Sequence, residues 1–148
     1  MKISFETEFP LSEQELKELA HEISIAENTT SGEIKIHIEE FCKTNPLQRA
    51  TQLFVELGLE HTIERNAIII YFAFSDRKMA IYGDKGIHEK VHQEFWDSTL
   101  QKMKEAIKTS NLFNAIKIGI HDSAEKLSHF YPARKNDINE LNNEISIG

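Results

Sequence analysis

The stretch AIIIYFAF, residues 67 to 74, constrains the chain most. It has the length of a strand, is rich in β-branched and aromatic residues, and leaves no polar face for water. Such a strand is buried on both sides, as in the middle of an α/β sheet with helices above and below. SDRK, residues 75 to 78, reads as a turn, and MAIYG, residues 79 to 83, as a short strand returning beside the first. Four polar residues close a hairpin but cannot carry a parallel crossover.

The segment EIKIHIEE, residues 33 to 40, alternates, with Ile34, Ile36 and Ile38 on one face and Glu33, Lys35 and His37 on the other. This predicts a strand covered on one side. Ser12 followed by Glu15 forms a capping box, and Leu16, Leu19, Ala20 and Ile23 recur at helical spacing behind it. Pro46 opens a second helix with Leu47, Ala50, Leu53, Phe54 and Leu57 on its face, closed by Gly58. Val91, Phe95, Leu100, Met103 and Ile107 predict a third helix from Ile87 to about Ile107. A fourth runs from Leu112 to Tyr131, stopped by Pro132. Residues 133–148, asparagine-rich, read as a polar tail with one helical turn after Asp137. The order helix, strand, helix, strand, strand, helix, helix gives one small layered α/β domain over residues 1–132, with a mixed sheet.

A net charge of -7 argues against nucleic acid or an anionic membrane as the main partner, since both demand a concentrated basic patch, and favours a cation. The lone Cys42 cannot form an internal disulfide, and with no His or Asp motif beside it reads as an ordinary cysteine. No apolar run reaches the roughly 18 residues of a membrane span, and MKISFETEFP is no signal peptide. A soluble cytoplasmic protein without membrane insertion is the expectation.

HEKVH, residues 88 to 92, fits the H-E-x-x-H pattern of zinc metalloproteases, in which both histidines share one helix face and the glutamate is a general base. A third ligand is missing, Lys90 sits inside the string and Glu94 just after it, and no longer zincin signature follows. A solvated first turn of a helix explains the string better than a protease does.

Taken together, ENTTSGEIKIHIEE, ERNAIIIYFAFSDRKMAIYGDKGI, the FW that follows and AIKIGIHDSAEKLSHFYP resemble the TPM domain family over about residues 10 to 132. The most telling parts are Glu27, Thr30 and Glu33 before the first strand, Arg65 and Asn66 before the apolar strand, and Gly83, Asp84 and Gly86 after the hairpin. The resemblance implies an α/β/α sandwich with a small mixed central sheet flanked by helices. It also implies divalent cation binding, calcium in particular, acid phosphatase activity, or a role in protein repair or assembly. Positions 88 and 92 are not part of the family pattern.

With the first two strands parallel, Glu27, Glu33, Arg65, Asn66 and Asp84 gather at one end of the sheet, and Asp76 at the other, where turn chemistry is its natural role. Clustered carboxylates repel unless a cation sits among them, and hard oxygen ligands suit calcium or magnesium rather than zinc. Arg65 suits a phosphate fork, and amides around Gly86 suit an anion. Each residue also has a plainer reading: Glu27 at a helix end, Asn66 in a turn, Asp84 as a helix N-cap, Arg65 in a surface ion pair, Phe95 and Trp96 in the core.

Two expectations follow. In the first, a cation held by Glu27, Glu33 and Asp84 polarises a phosphomonoester, Arg65 stabilises charge on its oxygens, and metal-activated water attacks. In the second, the ion only orders the loops of a non-enzymatic module that binds or assembles another protein.

Overall fold

The computed structural model describes residues 5, 7–134 and 140–148. Ser12 caps α1 (Glu13–Ala26) through the reciprocal box with Glu15, and a 3₁₀ turn (Glu27–Thr29) leads into β1 (Glu33–Glu39). The Asn45 side chain accepts from the amides of Leu47 and Gln48 to start α2 (Pro46–Glu56), and Gly58 follows in the left-handed region at φ 69°. A second 3₁₀ turn (Leu59–His61) precedes β2 (Ala67–Ala73), which pairs with β3 (Lys78–Gly83). The helices α3 (Lys85–His88), α4 (Asp97–Thr109) and α5 (Leu112–Phe130) follow, and β4 (Ser146–Ile147) closes the sheet.

The sheet order is β3-β2-β1-β4, with β1 parallel to both β2 and β4 and the β2–β3 pair antiparallel. All seven residues of β2 are buried, as its composition demands. Ile68 and Ile70, with Ile34, Ile36 and Ile38 of β1, pack against α1, α4 and α5 in the larger core, around Leu19, Ile23, Trp96 and Ile120. On the other face Ala67, Ile69, Tyr71 and Ala73 meet Ala50, Leu53 and Phe54 of α2. This is the expected α/β/α sandwich with a mixed central sheet. Each fully buried isoleucine contributes about 1.5–3 kcal/mol relative to exposure.

Three expectations are corrected. The helix expected from Ile87 to Ile107 is broken: α3 ends at His88, His92 is extended, and a 3₁₀ turn (Gln93–Trp96) intervenes before α4. The Gln93 amide donates to the Ile81 carbonyl at 2.7 Å, tying the break to β3, while Phe95 and Trp96 meet edge to face at 5.1 Å. Seating both rings and that bond together outweighs continued helix.

β1 was expected to be covered on one side only, yet all seven of its residues are buried. The second cover is the stretch that read as a tail. Residues 140–144 run past the polar face of β1 and residues 146–147 pair with its edge as β4, so that each alternate side chain of β1 finds a partner. Glu33 Oε1 accepts from the Glu140 amide at 2.7 Å, and Lys35 Nζ donates to Asn142 Oδ1 and the Glu144 carbonyl, each at 2.8 Å. His37 Nδ1 shares a hydrogen bond with Ser146 Oγ at 2.8 Å, and the Gly148 amide donates to the Ile38 carbonyl at 3.0 Å. The helical turn expected after Asp137 lies largely outside the described residues.

Glu39 ends this row. Arg49 donates to both its oxygens at 2.9 and 3.0 Å, the Tyr71 hydroxyl donates at 2.5 Å, and His37 Nε2 lies at 3.2 Å. Burial alone pushes its carboxyl up, but the bonds from His37, Arg49 and Tyr71 outweigh burial and hold it at about 2. A depressed carboxylate stabilises fully above its ordinary value of 4.5 and loses that contribution as pH falls towards 2. A Glu39→Gln variant is therefore expected to be less stable than the parent at pH 7, with the gap closing as pH falls through the range between 4.5 and 2. Urea denaturation of both proteins across that range checks this, and a gap independent of pH would contradict it.

Candidate functional site

Three loops meet where β1 and β2 begin and β3 ends: residues 27–32, 59–66 and 84–86. The predicted residues Glu27, Thr30, Glu33, Arg65, Asn66, Asp84 and Gly86 all fall on or beside these loops.

Arg65 and Asp84 form the tightest contact. The guanidinium donates through Nε to Oδ2 at 2.7 Å and through Nη2 to Oδ1 at 2.8 Å, a bidentate fork. Asp84 is 2% exposed whereas the Arg65 side chain is 44% exposed, so the pair joins a buried carboxylate to a guanidinium at the surface, and Oδ1 also accepts from the Lys85 amide at 2.7 Å as the N-cap of α3. The hydrogen bonds to Asp84 raise the Arg65 pKa above its already high ordinary value. Arg65 itself adopts the left-handed conformation, φ 53°, which non-glycine residues rarely do.

Gly86 explains part of that backbone. Its amide donates to the Arg65 carbonyl at 3.0 Å, and a Cβ here would lie 2.5 Å from the Glu64 carbonyl oxygen and 2.7 Å from that of Arg65. The expected free amides are not free: those of Ile87 and His88 donate to the Asp84 carbonyl, and that of Lys85 to its side chain. The turn after the hairpin is a clasp between two loops, not an anion cradle.

Asn66 ties the first two loops together. Its Nδ2 donates to the Ser31 carbonyl and to Glu64 Oε2, both at 3.2 Å, and its carbonyl accepts from the Glu33 amide at 3.3 Å. Exchanging the amide's oxygen and nitrogen would set oxygen against two acceptors, so the bonds fix its orientation. Asn66 Oδ1 is then buried without a hydrogen-bond partner, as is Glu60 Oε2. Thr30 is fully buried; its hydroxyl donates to the Tyr131 carbonyl at 2.5 Å and accepts from the Gly32 amide at 3.0 Å. Glu27 Oε2 accepts from the Ile34 amide at 2.8 Å, where the chain enters β1.

The loops thus bring Arg65, Asp84 and Gly86 together, and Asn66 with the backbone of Ser31 and Glu33. Among the described residues, no group of three or more His, Cys, Asp or Glu side chains stands ready to hold a metal ion. The sequence reading missed Glu60 and Glu64 in the second loop, Arg134, which pairs with Glu64, and Glu140, whose carboxylate accepts from the Ile63 amide at 3.1 Å. The acid beside Arg65 in "ERN" was the only local signal for any of these.

The remaining candidates sit elsewhere. His88 ends α3 with its ring 5.3 Å from that of Tyr82, and His92 lies in extended backbone beyond the helix, so HEKVH never presents two ligands on one helix face. Asp76, at the far end of the sheet, accepts from the Cys42 amide at 2.6 Å, and the Cys42 thiol is buried.

This arrangement is that of a TPM domain, and residues 8–126 match that family. The chain belongs to the TPM domain family. Its fold is similar to that of BA42 from the psychrophilic bacterium Bizionia argentinensis, at 36% identity over 99% of this chain and 100% of that one, with a TM-score of 0.88. The N-terminal domain of a P. gingivalis protein shares the fold at 10% identity, over 82% of this chain and 78% of that one, with a TM-score of 0.67. That of the cg2496 protein from Corynebacterium glutamicum does so at 14% identity, over 86% of each chain, with a TM-score of 0.60. No curated protein matches the sequence. Among the described residues, no helix is long and apolar enough to cross a membrane.

Gly86→Ala is expected to destabilise by about 1–3 kcal/mol, because the new methyl meets fixed carbonyls rather than a movable side chain. Thermal or urea unfolding measures this, and an unchanged midpoint would contradict the clasp.

Proposed function

We propose that the acidic end of the sheet binds a hard divalent cation, and that the loops ordered by it recognise a protein partner; the family resemblance implies calcium as the ion. The observation that carries this reading is Asn66 Oδ1, a buried oxygen with no donor, in a region rich in carboxylates. Glu27, Glu33, Glu60, Glu64, Asp84 and Glu140 belong to these loops or the segment against them. The two arginines there are already committed, Arg65 to Asp84 and Arg134 to Glu64. Buried oxygens without donors, Asn66 Oδ1 and Glu60 Oε2, are the kind of hard ligand that calcium and magnesium take, and water completes such a shell where protein ligands are few.

Asp84 fits less well, because Arg65 and the Lys85 amide already use both its oxygens. Asp84 therefore braces the loops and is not a ligand of the ion in this reading. Phosphomonoester hydrolysis rests on the family resemblance alone, whereas a binding role also has support in exposed apolar side chains near these loops. Ile63 is 87% exposed between Glu60 and Glu64, and Val55, at 62%, lies near the end of α2 just before them.

The test is an amide NMR titration with calcium, magnesium and zinc in turn, alongside an assay with a generic phosphomonoester. Saturable calcium or magnesium shifts at Glu60, Asn66 and their neighbours are expected, weakened severalfold in Glu60→Gln, with no turnover. Shifts confined to His88 and His92 with zinc, or no response to any ion, would overturn the cation site. Calcium-dependent hydrolysis would replace the binding role with an enzymatic one.

A further inference from the structure

At the opposite end of the sheet, an open groove of about 460 Å³ runs between the β2–β3 hairpin and the α4–α5 corner. Its volume lies within the roughly 300–1,000 Å³ of small-molecule sites. Phe72, Phe74, Met79, Ile107 and Leu112 supply its apolar lining, and the phenyl rings of Phe9 and Phe74 stack beside it at 5.6 Å.

The charged residues of this groove run against the chain as a whole. The protein carries 24 acids to 17 lysines and arginines, yet the lining holds Arg77, Lys104 and Lys108 and no acid. Ion pairs among the described residues engage Arg49, Arg65, Lys102, Lys126 and Arg134, but none of these three. Two of the nearby acids are occupied elsewhere: Asp76 accepts from the Cys42 amide and Glu40 from the Thr7 amide, each at 2.6 Å, which leaves Glu105, three residues before Lys108 on α4, as the one acid within helical reach of the lysines named here.

Two further features set the cations apart. Lys104 and Lys108 stand four residues apart on α4, a like-charge spacing that is unfavourable without an anion. Arg77 closes the hairpin turn at φ 53°, a conformation that glycine or asparagine adopts at less cost. Backbone outliers of this kind concentrate at sites of function.

We propose that this groove binds a free single-chain amphiphile with a carboxylate head, of the fatty-acid class, its alkyl chain on the aromatic and aliphatic lining and its head among Arg77, Lys104 and Lys108. A concave groove suits a single chain better than a bilayer surface, and a net charge of -7 opposes approach to an anionic membrane. This site is separate from the acidic crevice and does not depend on a cation there.

The experiment is an amide NMR titration of the full chain with sodium decanoate below its micelle concentration. Decyltrimethylammonium, decanol and phosphatidylglycerol vesicles serve as comparisons. Saturable decanoate shifts at Phe72, Phe74, Met79 and Ile107 are expected, with decanol weaker and decyltrimethylammonium weakest. A Lys104→Glu/Lys108→Glu double variant, changed only at exposed positions, is expected to bind about tenfold more weakly with its other resonances in place. Equal binding of the cationic amphiphile, decanoate affinity unchanged in the variant, shifts elsewhere, or no saturable binding would each overturn the proposal. Response to vesicles alone would overturn it in favour of a membrane-facing surface.

Discussion

A central strand cannot leave charges unpartnered, and β1 carries Glu33, Lys35, His37 and Glu39 on one buried face. Taking such groups from water costs several kcal/mol each unless hydrogen bonds replace hydration. The fold meets this cost rung by rung, with Glu140, Asn142, Glu144 and Ser146 on the first three and Arg49 and Tyr71 on the last. The apolar face of the same strand then fills the larger core, so β1 is where both layers of the sandwich are anchored.

The two ends of the sheet differ in chemistry because the strands differ in direction. Parallel β1 and β2 start at the same end, which brings the loops before them together, and antiparallel β3 delivers Asp84 to that end. The result is a crowded set of carboxylates braced by Arg65, Asn66 and Gly86. The hairpin turn and the α4–α5 corner fall at the other end, where lysines and an arginine surround apolar side chains.

Elements whose residues satisfy themselves locally were legible in the sequence. The Ser12–Glu15 box, the Asn45–Pro46 start with Gly58 behind it and the hairpin after β2 rest on neighbours in the chain, and β2 declares its burial on both faces through its own composition. The TPM resemblance and the gathering of five polar residues at one end were legible too. What escaped depends on distant partners: the Gln93–Ile81 bond that breaks the third helix, and the cover over β1, whose asparagines and glutamates look like a solvated tail until β1 stands opposite them. Within the site, the composition of "GDKG" suggested free amides, but only the approach of the Glu64–Arg65 carbonyls reveals that the loop is closed on itself.

The rungs between β1 and residues 140–148 span more than a hundred positions of chain, 107 for the Glu33–Glu140 bond. Contacts that distant close long loops of chain, whose entropy the rungs must offset. Without them, β1 would be a sheet edge with buried-type charges facing water and an unpaired ladder of backbone groups. A chain cut before residue 140 would therefore end its sheet on an edge whose side chains are polar, which favours solvation over pairing with another chain.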